Sequence, residues 1–227
     1  MTAASATAAS ARLAAVWRLL ALGFAAPSAE TIAEVEALAG ALEEDATPEL
    51  AAVLAEAGRA RSEELGGRYT RLFRGRVEIP PYEGSYEVDP IRQGRQVADV
   101  AGFYRAFGAE AGGPAAERPD YVSCELEFLS FLELRRLAAE GRPEAAFLDE
   151  IADAFLVDHA GRWLPTFFAA VQASEPSFYG ALGALGARVL ADELARRGLE
   201  PAALPARGAR ASVEADAFEC GPSPGPP

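Results

Sequence analysis

Lysine and asparagine are absent from this chain, and it holds one histidine, one methionine and two cysteines in 227 residues. Each shortage excludes something. All 21 basic residues are arginines, which points to a GC-rich coding bias more than to chemistry. Cys124 and Cys220 lie far apart, one in a helical segment and one in a Pro/Gly tail, so neither a disulfide framework nor a paired-cysteine metal site is available. A metal site would have to be assembled from carboxylates around His159 alone, which is a poor donor set. No stretch approaches the roughly 20 apolar residues of a membrane span. The sequence has no GxSxG, HExxH or Walker loop, and no GxGxxG after a strand. These absences predict a protein that is not an enzyme and carries no metal or cofactor of its own.

Positive charge is also scarce. Thirty-four acidic residues give a formal net charge of −13 and a sequence pI near 4.6. Nucleic acid is excluded as the main partner, because phosphate binding needs a basic surface. An acidic surface suits a basic peptide. The N-terminal apolar run lacks a basic n-region and is interrupted by Arg12 and Arg18, so it is expected to be an amphipathic first helix, not a signal peptide. The cytoplasm is the expected compartment.

What is present is helix-forming sequence. Leu13, Val16, Trp17, Leu20 and Phe24 mark one face of a helix over residues 9–25. Ser28 caps a second helix carrying Ile32, Val35, Leu38 and Leu42. Thr47 followed by Pro48 starts a third. A fourth spans residues 62–73. Residues 74–90 break the pattern with three prolines and the aromatics Tyr82 and Tyr86, which predicts a long ordered loop of the kind that tends to be functional. A fifth helix follows over residues 91–107. Beyond a linker at 108–119, Asp120 is the expected cap of a sixth. Helix continues through Phe155, His159 and Trp163, where Pro165 is expected to kink or split it. A last helix covers residues 176–197. No segment alternates with period two, so an all-α, single-domain bundle over residues 1–200 is expected. Residues 201–227, rich in Pro, Ala and Gly, are expected to form a disordered tail.

One position stands out chemically. Glu125 falls at the centre of an apolar arc made by Tyr121, Val122, Phe128, Leu129 and Leu132, while Glu127, Ser123 and Ser130 share the opposite side. A carboxylate there costs several kcal/mol unless it finds an arginine, a hydroxyl or backbone donors, or titrates upward. Its partner is either internal or an arginine supplied by a ligand. Cys124 is expected to be an inert buried thiol and His159 a hydrogen-bonded helix residue.

Five stretches in order resemble one known family: RYTRLFRG at 68–75, PPYEGSYE at 80–87, VADVAGFYRAFGAEAG at 97–112, ERPDYVSCELEFLSFL at 117–132 and FLVDHAGRWLPTFFAAV at 155–171. Together they resemble the TorD/DmsD/NarJ family of redox-enzyme maturation proteins, all-helical cytoplasmic chaperones for molybdenum-cofactor oxidoreductases. Tyr121 stands where that family usually has histidine. The resemblance implies a chaperone that binds the catalytic subunit of such an enzyme and its twin-arginine signal peptide before export. It also implies that Pro119, Asp120, Tyr121 and Glu125, with the loop residues Tyr82, Glu83 and Tyr86, lie at the recognition region, joined by His159 and Trp163. One alternative is an assembly factor for a membrane-bound nitrate-reductase-like enzyme that ignores signal peptides. A nucleotide-hydrolysing or small-molecule-binding helical protein is the distant alternative. Monomer and helix-exchanged dimer are both open.

Overall fold

The three-dimensional structure is a computed structural model that describes residues 3–42, 47–57, 62–74, 77–109, 117–174 and 176–204. Most of the expected tail, 205–227, and most of the expected linker, 110–116, lie outside the described residues.

The described residues form the helices α1 (Ala3–Gly23), α2 (Ala29–Ala41), α3 (Pro48–Ala57), α4 (Ser62–Phe73), α5 (Pro90–Ala106), α6 (Val122–Ala138), α7 (Pro143–Phe155), α8 (Gly161–Ser174) and α9 (Phe178–Arg197). The only extended pairing among them is a lone antiparallel bridge between Tyr82 and Tyr121. The chain is therefore all-α.

Local chemistry explains most boundaries. Ser28 Oγ accepts from the Thr31 amide at 3.1 Å and Thr47 Oγ1 from the Leu50 amide at 3.3 Å. Asp89 caps α5 in the same way at 2.9 Å, with Pro90 at the first helical position. Gly198 closes α9 in the left-handed region (φ 68°), which a side chain would disfavour.

α1 lies along α6 and α8 along α9, while α3 packs on α9 and α2 bridges α1 and α3. The core runs through Trp17, Leu20, Phe24, Phe73, Phe167, Phe168 and Tyr179, all essentially inaccessible. Their rings meet edge-on or tilted, Phe24 lying 5.2 Å from Phe167 and Phe73 5.3 Å from Tyr179.

Several expectations need correction. Pro165 neither splits nor ends its helix. The irregularity falls one turn earlier, as a π-helical segment at Leu156–Ala160 that holds His159. Ser130 does not face water with Glu127, because it is buried and its hydroxyl donates to the Ala14 carbonyl at 2.8 Å, tying α6 to α1. The first tail residues, 201–204, pack as well. The Leu204 amide donates to the Arg162 carbonyl at 2.7 Å, the Arg162 guanidinium donates to the Ala202 carbonyl at 3.3 Å, and Leu204 is buried. Local composition gave no sign of that long-range docking.

Candidate functional site

The loop over residues 77–89 is bound to the start of α6 by backbone. The Val122 amide donates to the Pro81 carbonyl at 2.9 Å, and the Glu83 amide to the Asp120 carbonyl at 3.0 Å. The prolines at 80 and 81 keep the strand extended and remove competing donors. A single 3-10 turn, Glu83–Ser85, then drives Glu83 into the protein.

Asp120 is not the cap of α6; Tyr121 occupies that position. The Asp120 carboxylate is fully buried and turns to the loop instead. It accepts from the Gly84 amide at 3.1 Å and, as a bidentate pair, from the Arg118 guanidinium at 2.9 and 2.8 Å. A Cβ at Gly84 would come within 3.1 Å of that carboxylate, so the small residue permits the close approach. Arg118 also lies over the Tyr82 ring, 4.8 Å from its centre.

Tyr121 is buried below this junction. Its hydroxyl lies 2.7 Å from that of Tyr69 and donates to the Phe24 carbonyl at 3.1 Å. Arg74 donates to Tyr69 at 3.2 Å and pairs with Glu117. The protons therefore run one way, from Arg74 to Tyr69 to Tyr121 to Phe24. Burial, then the neighbouring Tyr69, holds the Tyr121 hydroxyl well above its ordinary pKa, so it stays a donor. A histidine in this place would have to bridge the same two elements with different geometry.

Deeper still, two carboxyl groups share a dry space. Glu83 receives His159 Nδ1 at 3.1 Å and Gln96 Nε2 at 3.4 Å. Glu125 receives the Trp163 indole N–H at 2.9 Å. Its partner is thus neither an arginine nor a hydroxyl. Burial, then the charge of Glu83, pushes Glu125 well above the usual carboxylate range, and the indole bond only partly offsets this. Tyr86 rests against Trp163, ring centres 5.3 Å apart, and donates to the Pro80 carbonyl at 3.1 Å. Cys124 is an inert thiol, pushed up to about 12 chiefly by burial. Among the described residues no group of three His, Cys, Asp or Glu side chains is placed to hold a metal ion.

The structure brings all nine singled-out residues into this one region, but in two layers. Glu83, Tyr86, Asp120, Tyr121, Glu125, His159 and Trp163 are buried, and only Tyr82 and Pro119 reach the surface in part. The buried seven cannot touch another polypeptide in this conformation. Their bonds fix the loop and the junction, so their part in recognising a polypeptide is positioning. Sequence reasoning missed Arg74, Gln96, Glu117 and Arg118, which complete the network. Arg118 had a visible signal, since it adjoins the Pro-Asp pair.

Two large apolar side chains stand exposed at the far end of the loop, Val88 (74%) and Ile91 (68%). They flank Asp89 and the first turn of α5, where the backbone is pinned by the Gln93 side chain donating to the Glu87 carbonyl at 2.7 Å.

Residues 35–169 match the sequence model of a family described as nitrate reductase delta subunit. A selenate reductase assembly chaperone of Thauera selenatis is 34% identical over 131 residues, covering 54% of this chain and 67% of that protein. A chlorate reductase assembly chaperone of Ideonella dechloratans is 33% identical over 121 residues, covering 51% of this chain and 62% of that protein. The matches thus span about two thirds of each relative's length. Among solved structures, a chain described as a redox enzyme maturation protein of Archaeoglobus fulgidus shares the fold. It has a TM-score of 0.56 at 23% identity, covering 78% of this chain and 93% of that one.

Proposed function

The chain belongs to the nitrate reductase delta subunit family, the NarJ/TorD type of maturation protein, and on that premise we propose that it is a system-specific chaperone for the catalytic subunit of a molybdenum-cofactor oxidoreductase. It holds that subunit through cofactor insertion and makes or breaks no bond. No helix among the described residues is long and apolar enough to cross a membrane. The cytoplasm is the compartment this reading requires.

The client's N-terminal segment docks on the outer face of the loop and the start of α5. The supporting observation is the exposed pair Val88, on a loop whose shape is locked from beneath by Asp120, Tyr121 and the Glu83–His159 pair, and Ile91, in the first turn of α5. A rigid loop presenting unpartnered apolar side chains gives up little entropy on binding. Apolar contacts supply affinity, and the acidic surface speeds encounter with arginine-bearing segments such as a twin-arginine signal peptide. The family description favours a second reading, in which the client is a nitrate-reductase-like subunit bound without reference to a signal peptide.

Co-purification of the chain with its client, repeated with Val88→Asp and Ile91→Asp, tests the proposal. Both positions are exposed, so the melting temperature should hold while client capture falls. Undiminished capture by the double variant would refute the docking face. Deleting a twin-arginine segment from the client separates the two readings: lost capture supports signal-peptide recognition, and retained capture supports the second.

A further inference from the structure

We propose that the cleft between α5 and the His159 segment is a binding site for a phosphate-bearing small molecule. It adjoins the client-docking face through Glu87 and Arg92, and it does not depend on that reading. The cleft has a volume of about 720 Å³ and Arg92, Arg95 and Arg162 line it. The three arginines share the lining with Glu87, Asp99 and Asp158, and Arg92 also pairs with Asp89 at 3.7 Å. Arg162 is steadied by the carbonyls of Asp158 and Ala202, at 3.4 and 3.3 Å. Among the described residues Arg95 pairs with no carboxylate.

The floor gives the second, independent observation. His159 and Gln96 are both more than nine-tenths buried and both line the cleft. His159 Nδ1 and Gln96 Nε2 are committed to Glu83, which turns His159 Nε2 and Gln96 Oε1 away from it, and neither atom has a hydrogen-bond partner. Buried polar atoms left unpaired are costly, and two on residues lining one cleft point to a ligand. Gln96 Oε1 accepts only, and an imidazole Nε2 donates or accepts according to its proton. A hydrogen phosphate or phosphate monoester offers both an O–H and anionic oxygens, and the arginine forks match its geometry.

The acidic residues of the cleft fit this assignment. Glu87 is turned inward, its Oε1 accepting from the amides of Val88 and Asp89 at 2.9 and 3.2 Å. Asp158 sits exposed at the rim. Asp99 Oδ2 lies 3.4 Å from His159 Nε2, at ion-pair range but without hydrogen-bond geometry, and its side chain is 69% exposed. It occupies the anion's place and is free to swing out. A phosphate therefore competes with Asp99 for Nε2.

His159 is the chain's sole histidine, so its imidazole resonances in an untagged preparation report on the cleft alone. Titrating inorganic pyrophosphate into the full chain should shift them saturably, where chloride at equal ionic strength does not. Arg95→Gln with Arg162→Gln should weaken binding about tenfold or more, and Asp99→Asn, by removing the competitor, should tighten it several-fold. All three positions are solvent-accessible, and a retained melting temperature confirms that the variants fold. No shift, a shift matched by chloride, or weaker binding in Asp99→Asn overturns the proposal; the last outcome would mean that the cleft takes a cationic group instead.

Discussion

Trp163 donates its indole hydrogen to Glu125 at 2.9 Å in a place that neither side chain shares with water. Glu125 Oε1 has no partner. Burial and Glu83 both oppose its charge and favour the neutral carboxyl, so an amide of the same shape should replace it. Glu125→Gln is expected to change stability by no more than about 1 kcal/mol near the acid end. The sign of the pH effect follows from linkage. The folded chain holds a proton that the unfolded chain loses above its ordinary value of 4.5, so this group's contribution is whole below that value and declines as pH rises above it. The variant lacks the decline. Urea denaturation at about pH 5 and about pH 8 should therefore show Glu125→Gln gaining on the native chain as pH rises; a constant difference would mean that Glu125 is ionised.

Much of the fold was legible because its signals are local. The Ser28 and Thr47 caps and the apolar spacing of α1 are all decided within a few residues. What escaped depends on distant partners. Asp120 has a capping residue's sequence context, yet the Gly84 amide and Arg118 offer its buried carboxylate three bonds where a cap offers one. Ser130 looked solvent-facing until Ala14 supplied an acceptor. The π-helical segment has no composition of its own. The candidate site was legible as a set of residues, through the family resemblance, but its layering was not, because burial is a property of the assembled bundle.

Tyr121 carries the next expectation. Removing its hydroxyl leaves the Phe24 carbonyl and the Tyr69 hydroxyl without their shared partner inside the core. Tyr121→Phe should cost roughly 1–3 kcal/mol, read by urea titration. Since the lost bonds join α4, α6 and the end of α1, the whole transition should shift, without a separate early phase. A variant as stable as the native chain would show that water replaces the hydroxyl there.

Arg197, near the end of α9, is the hub of a network that no sequence motif announces. Its guanidinium is only 5% exposed and reaches Glu133 at 3.1 Å, Asp153 at 2.6 Å and Glu193. Burial alone would raise Glu193, but hydrogen bonds from Arg196 and Arg197 hold it below the ordinary carboxylate range. Cutting the hub leaves the buried Glu133 and Glu193 with one arginine each, Arg136 at 3.1 Å and Arg196 at 2.7 Å. Arg197→Met should destabilise the chain by about 1.5–3 kcal/mol, whereas Arg188→Met, at an exposed pair with Asp192, should leave the transition almost unmoved. Because a depressed carboxylate contributes above its ordinary value and loses that contribution as pH falls, the Arg197 variant should also lose part of the native chain's acid-side slope. Equal effects of the two substitutions in thermal melts would contradict the network.

A backbone-to-backbone approach of α8 and α9 sets the last expectation. A Cβ at Gly183 would stand 2.7 Å from the Gln172 amide nitrogen and 2.8 Å from the Phe168 carbonyl oxygen, both backbone atoms of α8. At Gly186 the obstacle is the Phe168 ring at 2.6 Å, a side chain that can turn only by displacing Phe24 and Phe167. Helix propensity favours alanine over glycine by about 1 kcal/mol at either place, so propensity and packing pull in opposite directions. Packing should win at Gly183, because backbone cannot step aside without separating α8 from α9. Gly183→Ala is expected to lose about 1–3 kcal/mol net of the propensity gain. Gly40→Ala serves as the control: a Cβ there meets nothing within 4 Å, and the same substitution in α2 should stabilise. Opposite signs from one chemical change in two helices, measured by denaturant titration, would establish that the α8–α9 approach, and not glycine flexibility, is what Gly183 provides. A stabilised Gly183→Ala would mean that the two helices sit further apart than this packing requires.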